Sequence, residues 1–171
     1  MNFTSRKIAA PHSFLARLIH WSFVVLFAYG IFKGLDNVEQ LSDTAFLRFE
    51  MWFAGGFLAV IFGRFLIMRK TPSALPDDSP KLIKFLAKMA HIGLYLAPAM
   101  IAISGMMIGA LYSAGTTSGI MMDGVIWLHE TSITTTYVLI AGHIAAALGH
   151  RFLGDGVWSS MVPIFKETPR A

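Results

Sequence analysis

The segment from Trp127 to Arg151 constrains the fold of this chain more than any other stretch. Between Trp127 and Gly149 it contains one acidic residue, Glu130, and no lysine or arginine. A helix rises about 1.5 Å per residue, so a helical segment of this length crosses the roughly 30 Å apolar core of a lipid bilayer. The sequence therefore predicts a transmembrane helix at this position.

Three histidines lie along this predicted helix. His129 and His143 are fourteen positions apart, so they point within about 40° of each other on levels separated by roughly 21 Å. His150 lies seven residues further on, about 20° off the same line. Ionisable groups at membrane depth are costly, face the bundle interior and are usually functional. Because imidazole is the commonest metal ligand and a usual axial ligand of haem iron, the stripe favours metal or haem binding.

The composition agrees with a membrane protein and excludes several cofactor chemistries. Of the 171 residues, 55% are hydrophobic and 14% are charged, as expected for a chain with several apolar spans. The sequence has no cysteine, which excludes Cys-ligated iron–sulfur clusters, CxxCH haem attachment, thiol redox chemistry and disulfides. The net charge is +4, but the basic residues lie at the ends of apolar segments, so we expect no nucleic-acid partner.

Four apolar segments predict an all-α, up-down four-helix bundle that forms a single membrane domain over residues 1–171. Arg17 and His20 interrupt the first segment and no small-residue cleavage site follows it, so we interpret it as a retained helix rather than a signal peptide. Residues 69–88 are rich in proline and basic side chains and are interpreted as a linker, and Pro98 predicts a kink. The predicted spans are about 14–33, 46–68, 89–112 and 125–151.

The distribution of charge predicts the orientation of the bundle. The amino-terminal arm, the 69–88 linker, the carboxy-terminal tail and the helix ends facing them hold twelve basic residues against four acids. The positive-inside rule therefore places both termini in the cytoplasm. In this orientation His129 lies near the far side of the membrane. The cytoplasmic half holds the other membrane histidines, His20, His91, His143 and His150.

Matching depth makes His20 and His143 a candidate pair of haem ligands. A six-coordinate haem needs two axial ligands opposed across a gap, which a four-helix bundle provides in its core. Arg17, one turn before His20, and Arg64 are candidate partners for the haem propionates. The alternatives are that Arg17 reaches to the membrane interface and that a single histidine is a hydrogen-bonded packing residue.

His91 and His150 lie closest to the predicted cytoplasmic surface. A polar pocket at that depth, beside a haem, suits the head group of a quinone, whose carbonyls accept hydrogen bonds and protons. The alternative is that both imidazoles are simply solvated at the interface.

The chain resembles the bacterial cytochrome b561 family over essentially its whole length. The resemblance rests on LIHW in the first span, AHIGLYL in the third, and WLHE and GHIAAALGHRF in the fourth. These proteins are quinone-linked, four-helix cytochromes of the inner membrane and include the superoxide oxidase. The resemblance implies two stacked b haems, with electrons passing between a soluble or membrane partner on the periplasmic side and ubiquinone. It implies these roles: His20 and His143 ligate the cytoplasmic-side haem, His129 ligates the periplasmic-side haem, and His91 and His150 border the quinone site.

The second helix departs from the family pattern. The family takes the other ligand of the periplasmic-side haem from a histidine at the start of this helix. Counting back from Arg64 by the family spacing reaches Glu50, whereas alignment on Gly55 reaches Met51. Met51 could ligate iron and would raise its potential relative to a bis-histidine site. Glu50, a five-coordinate iron and an empty site are the alternatives, so we expect one haem b and leave the second open.

These features give three functional interpretations. The first is a haem b electron-transfer protein that links a periplasmic donor or acceptor, including superoxide, to the ubiquinone pool. The far-side loop is acidic (Asp36, Glu39 and Asp43), which would repel an anion such as superoxide and suits a basic partner. The second interpretation is a cytochrome b subunit that anchors a larger oxidoreductase in the membrane lipid. The third is a haem-free metal or proton transporter that uses the histidine stripe.

Overall fold

The computed structural model describes residues 12–34, 38–69, 75 and 79–167, and within these ranges the regular secondary structure is entirely helical. Four helices are long and apolar enough to cross a membrane: α1 Phe14–Lys33, α2 Thr44–Met68, α3 Lys81–Ser113 and α4 Ile120–Leu153. A 3₁₀-helix at Val38–Ser42 joins α1 to α2, and a short helix, α5, follows at Val157–Met161. The predicted all-α membrane bundle is confirmed.

The helices pack in chain order, and neighbours run antiparallel. In α1 and α2, His20 contacts Arg64 and the later Gly30 contacts the earlier Phe53. In α3 and α4, His91 contacts His143 and the later Ser104 contacts the earlier His129. By contrast, α1 and α4 approach each other through side chains rather than by close backbone packing. The rings of Phe27 and Tyr137, for example, lie 6.4 Å apart between centroids.

The bundle has two ends, which we call the terminal end and the distal end. The terminal end holds the start of α1, the end of α2, the start of α3 and the end of α4. The distal end holds the two short connections, from α1 to α2 and from α3 to α4. The chain enters α1 at the terminal end, where the Ser13 hydroxyl accepts a hydrogen bond from the backbone N–H of Ala16. At the distal end, Asp43 caps α2 by accepting from the N–H groups of Ala45 and Phe46.

Aromatic stacking and small residues hold the helices together. Phe53 and Phe57 of α2 stack on each other with ring centroids 6.3 Å apart, and Phe57 stacks on Phe23 of α1 at 5.3 Å. On α3, a methyl group added at Gly93 would lie 2.9 Å from Cδ1 of Leu139, so this glycine permits α4 to approach closely. Lipid tails are as apolar as the helix surfaces, so the hydrophobic effect does not drive helices together in a membrane. Van der Waals packing of this kind therefore stabilises the bundle.

Two helices begin before the predicted membrane spans. Helix α3 begins at Lys81, directly after Pro80, so the last part of the predicted linker is helical. The three lysines at 81, 84 and 88 are spaced three and four residues apart, and therefore share one side of the helix, from which their ammonium groups can reach water. The helix also continues on both sides of Pro98. Helix α4 begins at Ile120, somewhat before the predicted span.

Candidate functional site

The terminal half of the bundle gathers imidazoles from three helices and a guanidinium from the fourth. His20, His91 and His143 come from α1, α3 and α4, and Arg64 comes from α2. The rings of His91 and His143 meet edge to face, with centroids 5.5 Å apart. Arg64 hydrogen-bonds Nδ1 of His20, and His20 and His143 each lie near Arg64 and His91. The structure thus brings the two predicted haem ligands, His20 and His143, into one cluster, which we call the histidine cluster.

Hydrogen bonds determine where the ring protons lie in this cluster. Nδ1 of His91 lies 2.7 Å from the carbonyl oxygen of Ala87. Since a carbonyl only accepts, Nδ1 of His91 carries the proton and Nε2 has a free lone pair. Arg64 has only donors, so Nδ1 of His20 accepts from it and the proton of the neutral His20 ring lies on Nε2.

Two arginines supply positive charge at the terminal end of the bundle. The guanidinium of Arg64 lies 5.6 Å from the ring centroids of both Phe23 and Tyr95. Nε of Arg17 is buried and has no hydrogen-bond partner. A buried donor without an acceptor is costly, and a guanidinium is well suited to a carboxylate. Both arginines therefore have the chemistry expected of partners for an anionic group.

His150 pairs with a carboxylate that the sequence analysis did not single out. Its Nδ1 lies 2.6 Å from Oδ2 of Asp155, whose side chain is only 5% exposed. Gly154 and Gly156 have φ of 66° and 88°, a left-handed conformation that turns the chain back after α4. The Gly-Asp-Gly sequence directly after an apolar helix was the signal that could have indicated this arrangement. His91, the other residue predicted to border the quinone site, contacts the imidazole of His143 and not a carboxylate.

His12 is a further residue that the sequence analysis left without a role. Its backbone N–H donates to the carbonyl of Ser160 at 3.1 Å, which ties the start of the described chain to α5. Burial, together with the positive charges of Arg17 and His91, lowers the pKa of His12 below its ordinary value of 6.5. His12 therefore adds a neutral imidazole to the terminal end at neutral pH.

At the distal end, His129 is held by α3. Its Nδ1 lies 3.0 Å from Oγ of Ser104, which is fully buried. The Ser104 hydroxyl gives its own proton to a carbonyl of the preceding turn, Met100 or Ile101. Ser104 therefore accepts from Nδ1–H of His129, and this tautomer leaves Nε2 with a free lone pair.

The candidate partners of His129 on α2 are placed differently. A methyl group added at Gly109 of α3 would lie 2.7 Å from Sδ of Met51, so the sulfur occupies a notch formed by this glycine. Met51 would have to leave that notch to serve an iron held by His129. Glu50, the neighbouring residue on α2, is half-buried. In this arrangement the distal residues do not fit a six-coordinate haem, which needs two opposed donors.

The comparison with known families agrees with the histidine pattern. The family model described as prokaryotic cytochrome b561 matches residues 11–163. The chain belongs to the prokaryotic cytochrome b561 family. No curated protein and no solved structure matches it. Membership in the cytochrome b561 family makes the chain a multi-pass, haem b electron-transfer protein of a membrane.

The residues of the histidine cluster fit the haem that the cytochrome b561 family implies. Two neutral imidazoles on facing helices are the donor set of a six-coordinate b haem. Arg17 and Arg64 provide the cations that propionates require, and Arg17 already has an unsatisfied donor. Iron ligation through Nε2 of His20 needs the ring proton on Nδ1. Arg64 would then have to move away from His20, and its guanidinium would be free to pair with a propionate.

Proposed function

We propose that this protein carries one haem b in its terminal half and exchanges electrons with ubiquinone at that same end of the bundle, in the inner membrane of a bacterium. A redox partner on the periplasmic side would be the other electron donor or acceptor. The observation that carries the proposal is the histidine cluster, in which imidazoles from α1, α3 and α4 meet beside Arg64.

In this proposal His20 and His143 hold the iron, and Arg17 and Arg64 balance the propionate charge. When bound, the haem supplies one-electron transfer between ferric and ferrous iron. The protein holds the two ligand helices α1 and α4 apart, and it excludes water with the phenylalanines around Phe57, which is 6% exposed.

The quinone site would lie beside His91 and His150. Nδ1 of His91 is engaged by a backbone carbonyl and Nδ1 of His150 by Asp155. Each ring therefore has Nε2 available to a quinone carbonyl. Imidazole titrates close to neutral pH, so it can give a proton to a reduced quinone or take one from a quinol. The contact of His91 with His143 would place a quinone close to the haem ligand.

A second candidate function is a cytochrome b anchor for a larger oxidoreductase. The exposed acids Glu39 and Asp43 at the distal end support it, because they suit a basic protein surface better than superoxide. Purification in mild detergent would recover a second polypeptide in fixed ratio if the anchor function is correct. The transporter interpretation has less support, since no three His, Cys, Asp or Glu side chains among the described residues could hold a metal ion.

Haem content and its loss in ligand variants test the proposal. We expect a b-type α band in the dithionite-minus-oxidised spectrum and one haem per chain by pyridine haemochrome. His20→Ala and His143→Ala should lose the band, whereas His129→Ala is the matched control and should keep it. A full-strength band in His143→Ala would refute the ligand assignment.

A further inference from the structure

We propose that Asp155 is a positioning residue for proton transfer between His150 and the quinone, an inference that rests on the proposed quinone site. The pair is close and protected: Nδ1 of His150 and Oδ2 of Asp155 lie 2.6 Å apart, and the side chains are 20% and 5% exposed. A buried carboxylate needs hydrogen-bond donors to remain ionised. Asp155 has a second donor in the backbone N–H of Val157, which lies 3.2 Å from Oδ1.

The segment that follows α4 is built to hold this carboxylate in place. After the left-handed turn at Gly154 and Gly156 the chain forms helix α5, which is hydrogen-bonded to the start of the described chain. The carbonyl of Met161 accepts from the indole N–H of Trp21 at 3.3 Å. The carbonyl of Ser160, a residue only 1% exposed, accepts from the backbone N–H of His12. The segment that carries Asp155 is therefore held by Trp21 of α1 and by His12, which precedes that helix.

The carboxylate fixes which nitrogen of His150 can exchange a proton. Asp155 accepts from Nδ1–H, so the neutral ring presents the lone pair of Nε2, and the carboxylate faces the positive charge that the ring gains on protonation. Nε2 is thus the nitrogen of His150 that can exchange a proton with the quinone. The other nitrogen is held by Asp155 in both protonation states.

The proton and electron balance of quinol oxidation follows from this arrangement. A quinol hydroxyl O–H bond breaks, and its proton forms an N–H bond at Nε2 of His150. The ring then returns the proton to water at the terminal end, and the second hydroxyl proton leaves by the same route. The two electrons would leave one at a time: a bound haem would accept the first, pass it to the redox partner of the proposed function, and then accept the second. Quinone reduction is the reverse.

Asp155→Asn tests the inference because it preserves the size of the side chain. If the Asn oxygen keeps its bond with the N–H of Val157, the amide NH₂ faces Nδ1 of His150, which must then accept. This forces the ring proton onto Nε2 and removes the lone pair that accepts a proton from quinol. We expect kcat for haem reduction of the purified holoprotein by a short-tailed ubiquinol to fall roughly 10- to 100-fold, by analogy with the loss of the hydrogen-bond partner of a metal-ligating histidine. KM should change little.

Haem content and the reduced spectrum should match wild type, and Asp155→Glu should recover part of the rate. The matched control is Asp123→Asn, which removes an exposed carboxylate near the start of α4, at the distal end. Unchanged kcat in Asp155→Asn would overturn the inference and leave the quinone function intact. Failure of ubiquinol to reduce wild type, where dithionite does, would instead overturn the proposed function.

His150→Gln separates positioning from packing. In that background Asp155→Asn should cause no further loss of rate, because the imidazole that Asp155 positions is absent. An equal loss with and without His150 would show that Asp155 acts only on packing. If Asp155→Asn does not load haem, Asp155→Glu takes its place in both backgrounds: a lowered kcat that disappears when His150 is replaced by Gln supports the inference, and an equal loss in both backgrounds or no loss in either overturns it.

Discussion

Ser104→Ala should weaken the contact between α3 and α4 by a predictable amount. It removes the acceptor of Nδ1–H of His129, at 3.0 Å, in a place where Ser104 is fully buried and water cannot substitute. Interhelical hydrogen bonds in membrane proteins contribute about 0.6 kcal/mol on average and about 1.7 kcal/mol at most. Complete burial places this one in the upper half of that range, at roughly 1–1.7 kcal/mol. Since about 1.36 kcal/mol is a factor of ten, the unfolding equilibrium should shift about 5- to 20-fold.

The measurement is reversible unfolding in mixed detergent and SDS micelles, followed by far-UV circular dichroism. Ser132→Ala is the matched control, because Ser132 is 7% exposed and its hydroxyl donates within α4, to the carbonyl of Leu128 at 2.7 Å. Equal destabilisation of the two variants would refute the assigned value of the Ser104–His129 bond. The haem spectrum gives a second readout: Ser104→Ala should leave the α band unchanged if His129 ligates no iron.

Two further variants test packing and pH dependence. Gly109→Ala adds a methyl 2.7 Å from Sδ of Met51, so we expect it to be about 1 kcal/mol less stable than Gly55→Ala in the same unfolding assay, because both variants gain the helix propensity of alanine but nothing lies within 4 Å of a methyl at Gly55. Because the pKa of His12 is lowered in the folded protein, the unfolded chain binds more protons as pH falls through about 6.5, and stability is lost on acidification. His12→Gln should reduce that loss, measured as the difference in Tm between pH 7 and pH 5, and an unchanged difference would contradict the expectation.

The helices could be predicted where apolar length alone decides them. Helix α1 begins at Phe14 and ends at Lys33, as predicted, because Ser13 caps its start and Gly34 follows its last residue. The start of α3 could not be found in this way. Its first turns carry Lys81, Lys84 and Lys88, and a membrane helix that extends into the polar interface no longer resembles an apolar span.

The site residues, too, could be predicted only where one regular helix decides their position. Helical periodicity was sufficient to put His129 and His143 on one stripe, because both lie on one regular element. Their partners depend on other elements. Asp155 reaches His150 only through a left-handed turn, and Ser104 reaches His129 only through the register of α3 against α4. The same register directs Met51 toward Gly109, which family spacing along α2 alone does not reveal.

If the haem lies only at the terminal end, as proposed, electron transfer in this protein should be one-sided. The levels of His143 and His129 are separated by roughly 21 Å, and between them the core contains phenylalanines such as Phe53 and Phe57. Benzene rings are poor electron carriers at the potentials of b haems, and tunnelling falls exponentially with distance. In proteoliposomes, ubiquinol should therefore reduce the haem much faster than a membrane-impermeant donor that reaches only the distal end. Equal rates would require a second redox centre near His129. A slow distal reaction that becomes fast with a co-purifying subunit would show that the partner brings its own cofactor, as the anchor function requires.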